Sequence, residues 1–325
     1  MGRVDGTTYK LFGAPESLNG SVEAALVSAK YTSTHSVFTL KAGDSIFSLD
    51  FFSPVSPKNY LRQSLPFSYL TISVSSKTSS KTQVYSDIDE RWTGQSGSTV
   101  SKLNSSTGVL FELSVDGAAT YAEVNDMALW GHVVFASRPS NLSIVTHQNG
   151  PLSSVREGFA SNGTLSDAAP AFAAGDVVGV AHDLGTTSNA FVTFAVGYVR
   201  EEAINYLGSA QTGYYRASYP DTLSAISHFF DDYAAANAES LEMDALLVER
   251  ATAAAGTNYS DILTLTTRQA FGGSDLTIPS DSLDTSDAMV FLKEISSDGN
   301  VNTCEFVPAK ESKEIEMLMR ISQWM

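Results

Sequence analysis

The chain has 325 residues, of which 17% are charged and 43% belong to the hydrophobic set, a composition typical of a globular protein with room for two domains. Its formal net charge is −16, and such a surface repels phosphate backbones and anionic lipid. The sequence therefore predicts no nucleic acid and no membrane as a partner. No apolar run reaches the roughly 18–20 residues that a membrane helix needs, and residues 1–13 lack the apolar segment of a signal peptide.

Residues 1 to about 215 have the pattern of short β-strands. The segment SVFTLKAGDSIFSLDFF alternates apolar and polar side chains on both sides of Gly43 and Asp44, which predicts a hairpin with one buried face per strand. The segment YLTISVSS predicts another strand, followed by a polar turn at SKTSSKTQ and a returning strand at VYSDIDERW. Many short strands separated by Gly, Ser and Asp turns predict a large sandwich.

The hydrophobic period changes near Pro220. An Ala-rich segment with apolar side chains at helical spacing follows, and Gly256 predicts where that helix ends. A second helix is predicted over NYSDILTLTTRQAFGG, with Ile262, Leu265 and Gln269 on one side. The segment DAMVFLKEISSDGNVN then predicts a strand and a turn. Strands followed by helices indicate an α+β chain.

The familiar nucleophile, nucleotide and metal motifs are absent from the sequence. There is no G-x-S-x-G elbow, no P-loop and no dinucleotide fingerprint. The five histidines are scattered, and none has a second His or Cys at ligand spacing. Cys304 has no basic partner that the sequence assigns, which favours an incidental thiol. The sequence therefore predicts neither a metal site nor a cofactor.

Carboxylates are the remaining candidates for chemistry. The strand VYSDIDERW places Tyr85, Asp87 and Asp89 on one face with Ile88 opposite. This pattern predicts either an acidic edge that contacts a ligand or transfers protons, or a solvated face that ends at a turn. Asp183 in the segment HDLG is either a catalytic carboxylate or part of an ordinary turn at a strand end.

Two further groups lie late in the chain. Arg268 and Gln269 precede a Gly-Gly corner, where they can bind a carboxylate or amide substrate, cap a helix end or pair across domains. Lys293, Glu294 and Asp298 lie within six positions at the edge of a predicted turn. Acidic side chains on turns of a rigid scaffold are frequent in functional sites, although a plain hairpin has the same pattern.

Four segments in their chain order resemble the fungal glutaminase A family: SPKNYLRQSLPFSYLTISVSS, VYSDIDERW, TRQAFGGSDL and DAMVFLKEISSDGNVNT. The resemblance runs from about residue 3 to residue 303. It implies an extracellular enzyme that hydrolyses glutamine to glutamate and ammonia. It also implies a β-sandwich domain followed by an α/α toroid of six helical hairpins, similar to that of some glycoside hydrolases.

The resemblance sets the predicted domain limits. Residues 1–235 are expected to form the sandwich and residues 240–303 the beginning of the toroid, which is incomplete in this chain. Residues 304–325 are an atypical tail rich in Lys, Glu and Met. Five Asn-x-Ser/Thr sequons are the predicted glycosylation sites: Asn19, Asn104, Asn141, Asn162 and Asn258.

Glutamine hydrolysis needs proton transfer and groups that bind the α-carboxylate and α-amine of the substrate. Residue type and position assign proton transfer to Glu294 and Asp298, and substrate binding to Arg268 and Lys293. A toroid draws its active site from many hairpins, so the sequence predicts little or no activity for this chain alone.

Two other functions stay open at the level of sequence. The first is a non-catalytic sandwich module that binds glycans, peptides or a sister chain, for which Trp92 and Trp130 are the candidate aromatic contacts. The second is glycoside hydrolysis, which is favoured only by the analogy between toroids.

Overall fold

The structure is a computed structural model that describes residues 1–13, 18, 20–93, 98–105, 108–124, 127–139, 143–292 and 307–308. It confirms the predicted α+β class, with large β-sheets and few helices. The chain divides into two compact units. The sandwich unit comprises residues 1–30, 36–52 and 68–199, and the helical unit comprises residues 31–35, 53–67 and 200–325.

The strands of the described residues are β1 (Gly2–Val4), β2 (Thr7–Lys10), β3 (Val22–Glu23), β4 (Ala25–Tyr31), β5 (His35–Ala42), β6 (Ser45–Phe52), β7 (Phe67–Asp89), β8 (Ser98–Ser105), β9 (Gly108–Val115), β10 (Glu123–Val124), β11 (Met127–Ala128), β12 (His132–Ser137), β13 (Ile144–Pro151), β14 (Asp176–Val199), β15 (Ile204–Tyr206), β16 (Ser209–Gly213), β17 (Ser274–Pro279), β18 (Met289–Leu292) and β19 (Val307–Pro308). The helices are α1 (Tyr60–Ser64), α2 (Leu152–Asn162), α3 (Thr222–Ala255) and α4 (Thr257–Gly272).

Two long strands organise the sandwich unit. β7 pairs with β6 through residues 69–76 and with β1 through residues 82–84. β14 pairs with β13 through residues 176–183 and with β12 through residues 194–199. β7 and β14 are also neighbours in the twelve-stranded sheet, in which the short β2–β3 pair is parallel. Each long strand therefore has one neighbour along its first half and a different neighbour along its second half.

The strands that pair with the first halves of β7 and β14 face those that pair with, or follow, the second halves across one core. A Cβ placed on Gly2 of β1 lies 2.9 Å from the Phe47 ring of β6, so only glycine lets these strands approach so closely. On the other side, the rings of Phe111 on β9 and His147 on β13 have centroids 5.6 Å apart. These contacts between β1 and β6, and between β9 and β13, form the predicted sandwich.

The predicted hairpin about Gly43 is confirmed, because β5 and β6 meet there and Gly43 has a φ of 62°. The predicted polar turn at SKTSSKTQ is wrong, since β7 continues through it to Asp89. The predicted strand end at HDLG is also wrong, since β14 continues past Gly185. In both segments the long strand changes partners: β7 passes from β6 to β1, and β14 passes from β13 to β12.

The helical unit combines α1, α3 and α4 with the antiparallel sheet β15-β16-β17-β18-β19. Both predicted helices are confirmed. Asp221 caps α3 by accepting a hydrogen bond from Ser224 N at 2.7 Å, and Gly256 ends it with a φ of 86°. Helix α3 runs unbroken through residues 235–240, where the sequence places the end of the first domain, and those domain limits stay a prediction.

Candidate functional site

The turn at residues 31–35 is the starting point of the candidate site in the helical unit. Thr32 N donates to His35 O at 2.8 Å. The Thr32 hydroxyl oxygen accepts from His35 N at 2.9 Å and from Thr34 N at 3.2 Å. A threonine side chain that satisfies two backbone N–H groups stabilises a tight turn.

Helices α3 and α4 bind this turn with opposite charges. Arg268 of α4 donates through Nη2 to Thr32 O and to His35 O, both at 2.6 Å. Asp244 of α3 accepts from the hydroxyls of Ser33 and Thr34, the latter at 2.5 Å. We call these five side chains and their turn the polar centre: Thr32, Ser33, Thr34, Asp244 and Arg268.

The polar centre is buried, and its burial decides what it can do. Asp244 is 4% exposed, and Ser33 and Thr34 are 2% exposed. A buried carboxylate is tolerated when hydroxyl or N–H donors replace water, as they do here. Both hydroxyls donate their hydrogen bond to Asp244. Neither hydroxyl faces solvent, where it could meet a substrate. The geometry therefore favours structural support for the turn over nucleophilic chemistry.

A second ionic cluster fastens α1 within the helical unit. Asn59 caps α1 by accepting from Arg62 N at 3.1 Å. The Arg62 guanidinium donates to both oxygens of Asp232, from Nε at 2.5 Å and from Nη2 at 2.9 Å, and Nη1 donates to Glu239. The hydrogen bond with Asp232 is the main cause that raises the pKa of Arg62. This bidentate geometry locks α1 onto α3.

The acidic strand face of VYSDIDERW proves to be neither a ligand edge nor a solvated surface. Asp87 accepts from Tyr85 Oη at 2.7 Å, and from Arg156 of α2 at 2.6 Å from Nε and 3.0 Å from Nη2. Burial is the main cause that raises the pKa of Tyr85, and the Asp87 carboxylate raises it further. Asp89 pairs instead with the exposed Arg91. Asp87 therefore anchors α2 to the sheet.

Asp183 of the HDLG segment is part of a cross-strand ion pair. Lys81 Nζ lies 2.8 Å from Asp183 Oδ2, and Gly185 N donates to Oδ1 at 2.9 Å. Burial acts to raise the pKa of Asp183, but these two hydrogen bonds, the charge of Lys81 and a hydrogen bond with Gln83 together outweigh it, and the pKa is lowered. An ionised, paired carboxylate at this position stabilises the passage of β14 through Gly185.

His182 forms a buried hydrogen-bonded pair with Ser137. Ser137 Oγ lies 2.6 Å from His182 Nε2 and 3.2 Å from Thr193 O. His182 Nδ1 lies 3.3 Å from Ser143 Oγ. His182 is fully buried and Ser137 is 1% exposed, so the pair satisfies its polar atoms inside the core.

The buried imidazole predicts acid sensitivity. Burial lowers the pKa of His182 to about 4 from 6.5. The neutral, buried imidazole makes its full contribution to the free energy of unfolding above pH 6.5. This contribution is lost as the pH falls toward 4, where the loss reaches about 3 kcal/mol. In urea unfolding between pH 7 and pH 4, His182→Gln should flatten this dependence, whereas His228→Gln should keep it. Equal slopes for His182→Gln and the unmodified chain would contradict the assignment.

Of the catalytic and substrate-binding residues that the sequence predicted, the structure describes Arg268. Arg268 lies in the polar centre and binds backbone carbonyls. Lys293, Glu294 and Asp298 lie outside the described residues, so their roles stay predictions. Among the sequons, Asn162 and Asn258 are exposed. The side chain of Asn104 in β8 is not described, and Asn19 and Asn141 lie outside the described residues.

Apart from Arg268, sequence reasoning missed the residues that make the polar centre and the α1 cluster. Asp244 is three residues from the buried Leu247 and seven from the buried Ala251, which is the spacing of one helix face. An acid at a core position of an amphipathic helix is a signal that it has a buried donor. No comparable signal identifies Arg62, because its partners are 170 and 177 residues away.

Three other kinds of candidate are a metal site, a membrane helix and exposed aromatic contacts. No group of three His, Cys, Asp or Glu side chains is placed so that it can hold a metal ion. No helix in this part of the chain is long and apolar enough to cross a membrane. Trp92 is 53% exposed, whereas Trp130 packs against Tyr121 with ring centroids 5.3 Å apart.

Family models match most of this architecture. A domain of unknown function, DUF5127, matches residues 34–250, and the glutaminase A six helical-hairpin domain matches residues 256–310. These matches define a class of proteins in which a DUF5127 domain precedes a helical-hairpin domain. The chain belongs to the glutaminase A family, which confirms the resemblance seen in its sequence.

Two curated relatives extend the match. Glutaminase A from Aspergillus oryzae is 31% identical over 335 residues, which covers 94% of this chain and 45% of that protein. A protein from Arthroderma benhamiae named "Probable glutaminase/05536" is 26% identical over 346 residues, which covers 93% of this chain and 38% of that protein. The chain thus spans less than half the length of these relatives.

Solved structures show only a distant similarity. A heparan sulfate lyase HepC mutant from Pedobacter heparinus has a TM-score of 0.29 and 7% identity, and covers 54% of this chain and 22% of that one. A heparinase III-BT4657 gene product has a TM-score of 0.29 and 9% identity, and covers 55% of this chain and 21% of that one. At these scores neither structure informs the function of this chain.

Proposed function

We propose that this chain is part of a glutaminase-type amidohydrolase that converts L-glutamine to L-glutamate and ammonia. The observation that carries the proposal is the 31% identity to Aspergillus oryzae glutaminase A along 94% of the chain. The substrate in this proposal is a small molecule. The proposal includes secretion and glycans at the exposed Asn162 and Asn258. A mass shift of the secreted protein on endoglycosidase treatment tests both.

Glu294 and Asp298 are the proposed proton-transfer groups, and Lys293 and Arg268 the proposed contacts to the α-carboxylate of glutamine. Arg268 also donates hydrogen bonds to the carbonyls of Thr32 and His35. In this proposal it therefore both contacts the substrate and stabilises the turn at residues 31–35. Because the six helical-hairpin model matches only residues 256–310, the 325-residue chain by itself is proposed to have little activity.

Glutamate release tests the proposal. The assay compares the 325-residue chain with a fusion in which residues 1–310 precede the remainder of the Aspergillus oryzae relative. The fusion should release glutamate, and Glu294→Gln within it should lower kcat by about 10²–10⁴-fold, the usual contribution of a positioned acid or base. Glu157→Gln, an exposed site on α2, is the matched control and should leave kcat unchanged. A folded fusion without glutaminase activity contradicts the proposal.

A further inference from the structure

Helix α4 carries its apolar side chains on the exposed side. Tyr259, Ile262 and Leu265 are 40%, 61% and 51% exposed. The sequence predicts Ile262 and Leu265 as one side of an amphipathic helix, which ordinarily faces the core. The buried positions of α4 are instead Ser260, Thr264 and Thr267, which are small and polar. We call Tyr259, Ile262 and Leu265 the α4 stripe.

Helix α3 has a similar exposed stripe beside its buried face. Leu241 and Val248 are both exposed and lie seven residues apart, which places them on one side of the helix two turns from each other. Its buried face uses Asp244, Leu247 and Ala251. Both helices of the α3–α4 pair therefore leave large aliphatic side chains in water, although each has buried positions elsewhere on its circumference.

An exposed stripe of this kind has an energetic meaning. Burying one large aliphatic side chain stabilises a protein by about 1.5–3 kcal/mol, and neighbouring exposed ones commonly mark an interaction surface. Asp261 lies next to the α4 stripe and is exposed, as are Glu242 and Glu249 on α3. A partner that covers these stripes needs apolar side chains in the centre and Lys or Arg at the edges.

The family match indicates which kind of partner can cover the α4 stripe. The model that matches residues 256–310 describes a domain of six helical hairpins, and α4 begins at its first matched residues. More than half of each curated relative lies outside the matched region. We propose that the α4 stripe is the docking surface for an amphipathic helix from the rest of a six helical-hairpin domain, in a protein of the relatives' length. This inference rests on family membership and not on glutamine hydrolysis.

Cysteine labelling tests the docking surface. The chain carries Cys304→Ser to remove its native thiol and Ile262→Cys to report on the stripe, and the matched control is Ser161→Cys on the exposed end of α2. Maleimide labelling of Ile262→Cys should be fast in the 325-residue chain. In the fusion of residues 1–310 to the remainder of the Aspergillus oryzae relative it should be slower by at least about tenfold. Ser161→Cys should label equally in both.

A second measurement covers the case in which the fusion does not fold. A cysteine at the position aligned with Ile262 in the full-length Aspergillus oryzae protein should be protected to the same degree. Fast labelling in the relative overturns the inference. Slow, concentration-dependent labelling in the 325-residue chain also overturns it, because a second copy then covers the stripe. Protection in a fusion without glutaminase activity supports the docking surface and counts against the proposed function alone.

Discussion

Arg62→Met is expected to lower the free energy of unfolding of the helical unit by about 3–5 kcal/mol. The substitution leaves the Asp232 carboxylate, whose side chain is 14% exposed, without its cation. The Arg62 side chain is 7% exposed and satisfies both oxygens of Asp232 and one of Glu239. Methionine has a similar length but no donors, so Asp232 loses two charge-assisted hydrogen bonds. Urea unfolding followed by far-ultraviolet circular dichroism measures the loss, since α1, α3 and α4 belong to this unit.

The control for Arg62 is an exposed arginine. The Arg91 side chain is 83% exposed and pairs with Asp89 at 2.5 Å, so Arg91→Met should change stability by less than about 1 kcal/mol. Adding Asp232→Leu to Arg62→Met should restore part of the stability, because an apolar pair does not need the lost hydrogen bonds. A loss below about 1 kcal/mol for Arg62→Met would show that the cluster does not hold α1.

Asp87→Ala is expected to have an effect of the same size on the sandwich unit, about 3–5 kcal/mol. The substitution removes the acceptor of Tyr85 Oη and both acceptors of Arg156, and it leaves the guanidinium half-buried next to an apolar cluster of Val155 and Phe159. Hydrogen exchange of the α2 amides is the sharpest measurement, because α2 should open before the sheet does.

Two further variants separate the ion pair from general effects on the sandwich. Asp116→Ala removes an exposed carboxylate from the same unit and should leave exchange in α2 unchanged. The double variant Asp87→Leu with Arg156→Met should be more stable than either single variant, because no buried charge is then left alone. Additive losses in the double variant are the outcome that contradicts a direct pair.

The prediction of the fold from sequence succeeded where the signal is local. Alternating side chains about Gly43 predicted the β5–β6 hairpin, and the change of hydrophobic period near Pro220 together with Gly256 predicted the limits of α3. The two wrong turns, at SKTSSKTQ and HDLG, have the polar composition of loops. They are strand because β6, β1, β13 and β12 pair with the chain on either side of them, and pairing partners distant in sequence are not visible in composition.

The site shows the same limit. Asp87 was recognised as a candidate from its strand pattern, but its partner Arg156 lies 69 residues away on α2. Asp244 and Arg268 both bind the turn at residues 31–35, more than 200 positions earlier in the chain. Residue type suggested that Arg268 binds a carboxylate, whereas in the structure it donates to the backbone carbonyls of Thr32 and His35.

The sequence by itself determined the family, the α+β class and the positions of the helices, because these depend on composition, caps and the order of segments along the chain. Only the tertiary structure decided which charged residues are buried in pairs and which face of α4 is exposed. The reason is physical: burial and ion pairing depend on groups brought together by chain reversal, and the same Asp or Ile has no local mark of what will pack against it.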